Sequence, residues 1–293
     1  TASNNTGVGK NALLSNTTGS ENTAVGQNSS DAVTTGSANT AVGQSSLSGT
    51  TTGSHNVAMG VDALNANTTA DNNTAVGRSA MAANTTGAGN VAVGTYALDA
   101  NTTANNGTAV GYGALSANTT AADNTGLGYL ALTANTTGTR NTALGTYALD
   151  ANTTANYNVA IGSYTLSDNS TGANNTAVGE KALGQNTTAS NNTALGYAAL
   201  TANTTGTDNV AVGRNALDAN TTADNNTAVG ADALTAANGS TGSTAVGAFA
   251  ADAVTTGNYN TGVGYQAIGA ITTGAQNTAI GAFALDAATT ASN

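Results

Sequence analysis

A glycine recurs with a strict 17-residue period through this chain, and it closes a short phrase of the form Asn-Thr-Ala-Val-Gly. It stands at Gly9, Gly26, Gly43, Gly60, Gly77, Gly94, Gly111, Gly128, Gly145, Gly162, Gly179, Gly196, Gly213, Gly230, Gly247, Gly264 and Gly281. The range 5–293 therefore holds 17 consecutive copies of one repeat, and we interpret residues 1–4 as the tail of a preceding copy. We expect the chain to be a fragment of a longer one, in which each copy is one structural unit.

The consensus copy reads N-T-A-V-G-x-x-A-L-x-A-N-T-T-(G/A)-x-x, and we number its positions 1 to 17. A copy with two large apolar side chains cannot bury a core alone, so the copies must stack. Asn, Thr, Gly and Val are poor helix formers, and helical repeats run to roughly 33 residues or more. Short strands between Gly and Asn turns fit better. The sequence therefore predicts an all-β fold, a parallel β-solenoid of 17 coils in the form of a flattened β-roll.

Substitutions between copies predict which way each side chain points. Position 4 is always Val, Ile, Leu or Met, position 2 is Thr or Val, and position 9 is mostly Leu, so we predict that all three face the core. By strand alternation, positions 1, 3 and 5 then form a flat outward face of Asn, Ala or Gly, and Gly. Because small side chains let backbones approach, we expect a second and third chain to pack on that face as a homotrimer.

Position 12 is the second informative column. It is Asn in 11 copies but Val33, Val254 and Ile271 in others, which indicates an inward position. Buried amides need partners, so we predict an asparagine ladder with hydrogen bonds between neighbouring coils. Alternation from position 12 places the threonine at position 14 inside and the threonine at position 13 outside.

Composition excludes several classes of function. Only 5 Lys and Arg residues are present against 15 Asp and Glu, and the net charge is −10, which argues against nucleic-acid binding. The absence of cysteine removes disulfides and thiolate metal sites. No apolar run approaches the roughly 18 residues that cross a bilayer, so we expect no membrane insertion. The regular apolar period and the absence of proline argue against disorder.

The titratable residues do not form a recognisable catalytic or metal-binding motif. The single histidine, His55, stands at position 17 in a predicted turn. Asp99, Asp150, Asp218 and Asp286 share position 10, but copies with Ser, Thr or Ala separate them, so we interpret them as surface charges. The calcium-binding repeat G-G-x-G-x-D is absent, and the stretch from Gly87 to Gly94 lacks the spacing of a nucleotide-binding fingerprint. We predict no enzymatic activity, no metal and no cofactor.

Aromatic residues recur at positions 6 and 7, in the turn after the Val-Gly pair. We take them as the candidate surface-contact residues, since a row of rings can stack on sugars or on a partner protein. The alternative is that they cover the edge of the coil. They are Tyr96, Tyr112, Tyr129, Tyr147, Tyr164, Tyr197, Phe249, Tyr265 and Phe283.

The phrases N-T-A-V-G-x-x-A-L and N-V-A-I-G, the latter at residues 158–162, resemble the head repeats of YadA-type trimeric autotransporter adhesins, which have the form N-S-V-A-I-G-x-x-S. The form with A-N-T-T-G is also similar to repeats of phage tail fibres and of surface proteins with an endosialidase-type chaperone domain. The resemblance implies a left-handed β-roll, three chains around one axis, and a place on a cell surface or virion. This sequence departs from the adhesin heads in its strict 17-residue period.

Our leading hypothesis is a structural and adhesive segment of an extracellular fibre, with itself and a host-surface glycan or protein as partners. A self-assembling extracellular filament is an alternative. An ice-binding solenoid is another, which requires two outward threonine columns side by side, whereas the predicted orientations give only one. Asn-Thr-Thr and Asn-Asn-Thr also match the N-glycosylation pattern, so exposed copies would be modified in a host with the machinery.

Overall fold

The computed structural model describes residues 2–290 and residue 292, and it confirms the all-β fold. Each copy contributes one three-residue strand at positions 2 to 4, and turns make up most of the rest of the coil. The strands are β1 (Thr6–Val8), β2 (Thr23–Val25), β3 (Thr40–Val42), β4 (Val57–Met59), β5 (Thr74–Val76), β6 (Val91–Val93), β7 (Thr108–Val110), β8 (Thr125–Leu127), β9 (Thr142–Leu144), β10 (Val159–Ile161), β11 (Thr176–Val178), β12 (Thr193–Leu195), β13 (Val210–Val212), β14 (Thr227–Val229), β15 (Thr244–Val246), β16 (Thr261–Val263) and β17 (Thr278–Ile280).

The chain divides into two compact units, unit 1 (Thr1–Thr146) with β1 to β9 and unit 2 (Tyr147–Asn293) with β10 to β17. Within each unit every strand pairs in parallel with the strand of the next copy, and equivalent positions of the repeat face each other. Val76 of β5, for example, lies opposite Val93 of β6. The register never slips, so each position of the repeat forms a column. Each unit is thus a parallel β-solenoid with one copy per coil.

The glycine at position 5 allows the chain to leave the strand. Gly60 and Gly111 have φ angles of +140° and +133°, which side-chain-bearing residues rarely adopt. A Cβ added to either glycine would lie 2.5 or 2.4 Å from the carbonyl oxygen of the same glycine in the next coil. The invariance of this residue therefore follows from close stacking of the backbones.

The interior of each coil is narrow. In most coils one large side chain is fully buried, at position 9, where Leu64, Leu98 and Leu217 have no exposed surface. Small alanines at positions 3 and 8 and asparagines at positions 1 and 12 surround it. The predictions for positions 9 and 12 are confirmed.

The prediction that positions 2 and 4 face the core is wrong, and so is the outward placement of positions 1 and 3. Ala92 and Ala143 at position 3 have no exposed surface, whereas Leu127 and Leu195 at position 4 are 43% and 46% exposed. The inward side chain of the strand meets the position 9 leucine, so there is room for no more than a methyl group. Even at Gly126 an added Cβ would come within 3.3 Å of a leucine side chain.

Two asparagine ladders join the coils. At position 12, Asn84 Nδ2 donates to Asn67 Oδ1 at 2.9 Å and to the carbonyl of Gly87 at 3.0 Å. At position 1, Asn73 Nδ2 donates to the same Gly87 carbonyl at 2.8 Å, and its Oδ1 accepts from the backbone N–H of Asn90 at 2.9 Å. The ladder at position 12 was predicted; the ladder at position 1 was not, although Asn stands there in 15 of 17 copies. Both ladders satisfy buried polar groups that would otherwise cost free energy.

The prediction that position 14 faces inward is also wrong. Thr103 and Thr120 at this position are exposed, whereas Thr102 and Thr119 at position 13 are half-buried. The position 13 hydroxyls donate to the carbonyl of the next coil, as Thr85 Oγ1 does to Thr102 O at 2.9 Å. The chain turns at these residues, so the alternation of an extended strand does not apply to them.

Candidate functional site

Within each unit, the outward side chains at positions 2 and 4 form a continuous surface feature, which we call the strand strip. None of these positions carries a charged residue in any of the 17 copies. Position 4 supplies Val, Leu, Ile or Met throughout, and position 2 supplies Thr, with Val at Val57, Val91, Val159 and Val210. The strip follows from the in-register pairing of the strands, which repeats the same two side chains about every 4.8 Å within each unit.

An exposed apolar strip of this length is uncommon on an isolated protein. Val93, Leu127 and Leu144 in unit 1 and Leu195 and Val246 in unit 2 are each more than one-third exposed. Scattered apolar residues on a surface need no explanation, but contiguous ones mark a contact site. The strand strip is therefore the candidate site for contact with another molecule.

The predicted surface-contact aromatics lie along a neighbouring edge, which we call the aromatic edge. In unit 1 the ring centroids of Tyr96 and Tyr112 are 6.0 Å apart, and those of Tyr112 and Tyr129 are 5.6 Å apart. In unit 2 two groups form. Tyr147 and Tyr164 stack at 5.2 Å, and Tyr265 contacts Phe249 at 6.0 Å and Phe283 at 5.3 Å. Among the described residues Tyr197 has no aromatic neighbour.

The arrangement of these rings favours packing between coils. Tyr112 and Tyr129 lie nearly parallel, with 16° between their planes, so each covers one face of the other. The guanidinium of Arg78 lies 4.9 Å from the centroid of Tyr96 and donates to its hydroxyl at 2.6 Å. Because these neighbours occupy ring faces, the rings offer mainly edges and hydroxyls to an outside molecule. Their role in surface contact stays a prediction.

The aspartates at position 10 are less solvated than predicted. Asp99, Asp150, Asp218 and Asp252 are half-buried, and burial raises the pKa of each carboxyl. The pKa of Asp150 rises to about 6, because of burial first and of the nearby Asp168 carboxylate second. Asp99, Asp150 and Asp218 are thus partly buried rather than fully solvated, whereas Asp286 is exposed.

No grouping of the described residues suggests catalysis or metal binding. Residues 2–290 and 292 contain no cluster of three or more His, Cys, Asp or Glu side chains that could hold a metal ion. His55 is exposed in a turn with φ +59°, as expected. An open groove of about 470 Å³ in unit 1 is lined by Leu14, Asn28, Asp31 and Asn65 among others. Asn65 Nδ2 there donates to Ser48 Oγ at 3.0 Å, so part of its polar lining is already paired within the protein.

Comparison with protein-family models found no matching family, and comparison with curated proteins found no match. Within the part of the chain that the structure describes, no helix has the length and apolar character needed to cross a membrane. The resemblance to adhesin and tail-fibre repeats stays a prediction. The strand strip is thus the main observation from which function can be argued.

Proposed function

We propose that this chain is a structural and adhesive segment of an extracellular fibre, the shaft or head of a bacterial surface adhesin or of a phage tail fibre. Three identical chains associate in parallel, and the strand strip is the surface through which they meet. This replaces the flat Asn-Ala-Gly face as the contact between chains, because the Asn and Ala side chains of that face are buried inside the coil. Exposed side chains of the assembly, including the aromatic edge, make contact with a host-surface glycan or protein.

The size of the strand strip supports association. Two side chains that are each about one-third exposed present on the order of 100 Å² per coil, so the eight coils of unit 2 present about 800 Å². That is one partner's share of a standard protein interface. Covering an uncharged strip of Val, Leu and Thr removes apolar surface from water without burying a charge.

The links between coils support a structural role. Backbone pairing, two asparagine ladders and the position 13 hydroxyls join each coil to the next within a unit. Repetition of one coil therefore gives a stiff stack from few residue types. In a fibre segment, length and stiffness are themselves the function, which fits the absence of a recognisable catalytic motif in the sequence.

The test is the mass of the purified chain in solution, measured by light scattering on a sizing column against the 28.0 kDa protomer. We expect three times that mass. The variant Val93→Asn, Val110→Asn, Leu127→Asn makes the strip polar in three consecutive coils of unit 1. We expect it to weaken the trimer, so that single chains appear at protein concentrations at which the unsubstituted chain is still trimeric. Circular dichroism checks that the fold is retained.

A matched control places the same change on another column. Thr103→Asn, Thr120→Asn, Thr137→Asn alters the exposed threonine of position 14 in the same three coils, and we expect its mass to equal that of the unsubstituted chain. A single-chain mass for the unsubstituted protein would refute the proposal. A very large, polydisperse species would favour the self-assembling filament.

The exposed threonines favour a second candidate function, ice binding. Position 14 is exposed beside position 13, whose hydroxyls hold fixed positions through their hydrogen bonds to the backbone, so two threonine columns run side by side in each unit. Ordered hydroxyls and methyls repeated every coil can hold surface water in a lattice. Thermal hysteresis and ice shaping by the purified chain test this, with smaller hysteresis expected in the position 14 variant and unchanged hysteresis in the strip variant. No hysteresis in the unsubstituted chain would exclude it.

A further inference from the structure

The acceptor pattern for N-linked sugar, Asn-x-Ser/Thr, occurs in two regular columns of this solenoid. One column starts at the asparagines of position 12, where Thr-Thr or Ser-Thr follows. The other starts at position 17, where the hydroxyl residue is the position 2 threonine of the next copy. Its members are Asn4, Asn72, Asn106, Asn174, Asn191 and Asn225. The two columns match the same pattern, but the fold places them in opposite environments.

The position 12 column is closed by the asparagine ladder. Asn186 has no exposed surface, and its Nδ2 donates to Asn169 Oδ1 at 2.8 Å and to the carbonyl of Ala189 at 3.0 Å. An N-linked sugar replaces one of those N–H donors and adds a ring to a site with no free volume. Asn101, Asn135 and Asn203 share this environment.

The position 17 column is open. Asn174 is exposed in a left-handed turn with φ +59°, and Thr176, two residues on, is exposed at the start of β11. The side chains of Asn72, Asn174, Asn191 and Asn225 make no hydrogen bond within the described residues. Asn106 differs, because its Nδ2 donates to Asp123 Oδ1 at 3.1 Å.

Two further matches to the pattern lie outside these columns. These matches are N-S-S at residues 28–30 and N-G-S at residues 238–240. Their hydroxyl residues, Ser30 and Ser240, are buried, with 1% and 0% of their surface exposed. An enzyme that reads the hydroxyl cannot reach it in the folded chain, so we do not include them among the acceptors.

The position 2 threonines that complete this pattern belong to the strand strip, so partner chains cover them in the assembled fibre. We propose that the folded single chain, before association, accepts N-linked sugar at Asn72, Asn174, Asn191 and Asn225, and that the ladder asparagines are closed to it. The donor is a sugar activated by a nucleoside diphosphate. A bond forms between Asn Nδ2 and the anomeric carbon as the bond from that carbon to the diphosphate oxygen breaks. The nucleoside diphosphate leaves with the electron pair, and the amide nitrogen loses a proton to the transferase base.

The test uses the folded chain, diluted until light scattering gives the mass of a single chain, with a purified soluble N-glycosyltransferase that reads Asn-x-Ser/Thr and with UDP-glucose. Peptide mass spectrometry is the readout. We expect hexose on Asn72, Asn174, Asn191 and Asn225 and none on the ladder. The same chain unfolded in denaturant, diluted and reacted at once should gain hexose on the ladder peptides as well. Hexose on ladder peptides of the folded chain would overturn the proposal, and so would position 17 sites that react only after unfolding.

A matched variant tests whether modification of Asn174 requires the hydroxyl of the acceptor pattern when the fold is unchanged. Thr176→Val removes the hydroxyl, and valine already stands at position 2 in four copies, so the strand should be retained. We expect hexose to disappear from Asn174 and to remain on Asn72, Asn191 and Asn225. Unchanged modification of Asn174 would show that the transferase does not use this pattern here and would overturn the assignment.

Whether the chain folds before or after it is modified should affect how much β-structure it forms. Sugar transferred to an unfolded chain reaches the ladder asparagines, and each modified coil then loses its buried donor. We therefore expect a chain that is glycosylated while unfolded to recover less β-structure on refolding than an unmodified chain treated in parallel. Equal recovery of the circular dichroism signal by a chain carrying hexose on the ladder would overturn the claim that the ladder excludes the modification.

Discussion

Substitution of one ladder asparagine separates the contribution of its hydrogen bonds from that of its volume. Asn101 has no exposed surface; its Nδ2 donates to Asn84 Oδ1 at 2.8 Å and to Ala104 O at 3.2 Å. Its Oδ1 accepts a longer bond, 3.4 Å, from Asn118 Nδ2. We compare Asn101→Val with Asn101→Asp, because Val occurs naturally at position 12 whereas Asp does not.

The two variants should lower the free energy of unfolding by different amounts. In Asn101→Val, the Ala104 carbonyl keeps its bond from Asn90 and the Asn118 amide keeps its bond to the Ala121 carbonyl. Asn84 Oδ1 is left without its donor, and one N–H of the Asn118 amide loses its long bond to Asn101 Oδ1. The unsatisfied buried acceptor lowers the free energy of unfolding by about 1–2 kcal/mol, and the long bond adds little to this. Asn101→Asp places a buried carboxylate against two acceptors, at a cost of ~3–5 kcal/mol at neutral pH.

The assay is amide hydrogen exchange across copies 5 to 7, because stability in a repeat protein is local, with thermal unfolding by circular dichroism alongside. The control is Asn105→Asp at position 16, where Asp also occurs naturally and where the side-chain oxygen only accepts a bond, from Ala88 N. The Asn101→Asp defect should shrink at acidic pH, since a protonated carboxyl can donate one bond. Equal protection of the Val and Asp variants at neutral pH would refute the hydrogen-bond argument.

Three further predictions concern the unfolding free energy, each measured by thermal and urea unfolding. Gly128→Ala should lower the free energy of unfolding by more than about 3 kcal/mol, because φ is +141° and the new Cβ would lie 2.4 Å from a carbonyl oxygen of the next coil. Gly126→Ala restores the common residue of position 3 and should change the free energy of unfolding by no more than about 1 kcal/mol. Asp150→Asn should stabilise the protein by about 1 kcal/mol above pH 6 and have no effect below about pH 4. The pKa of the Asp150 carboxyl in the folded protein, about 6, exceeds the ordinary 3.8, so the ionised carboxyl destabilises the fold only as the pH rises through that interval. The half-exposed position of this side chain reduces the effect. Tyr112→Thr should cost about 1 kcal/mol through lost ring contacts, and Tyr197→Thr, which has no described ring neighbour, clearly less.

The sequence was sufficient for the architecture. A strict 17-residue period with one strand-like phrase per copy predicts a parallel solenoid, because one copy cannot bury a core and must stack on the next. The mixture of Asn with Val and Ile at position 12 correctly predicts the buried ladder. These conclusions depend only on local propensity and on the fact that every copy meets a nearly identical neighbour.

The candidate site needed the tertiary structure. Alternation along a strand shows that positions 2 and 4 share a side, but it does not show which side is the interior. The volume inside the coil decides that, and it is already taken by the position 9 leucine and the asparagines, so only the Ala or Gly of position 3 fits. The restriction of position 3 to these two residues was the available signal.

The sequence by itself thus determined the period, the strands and the stacking, since each depends on residues close together in the chain. The tertiary structure decided which columns are open to solvent: the strand strip, the position 14 threonines and the position 17 asparagines. It decided them because the interior of so thin a coil has room for only some of the side chains of each copy, and the alternation along a three-residue strand does not show which ones enter it.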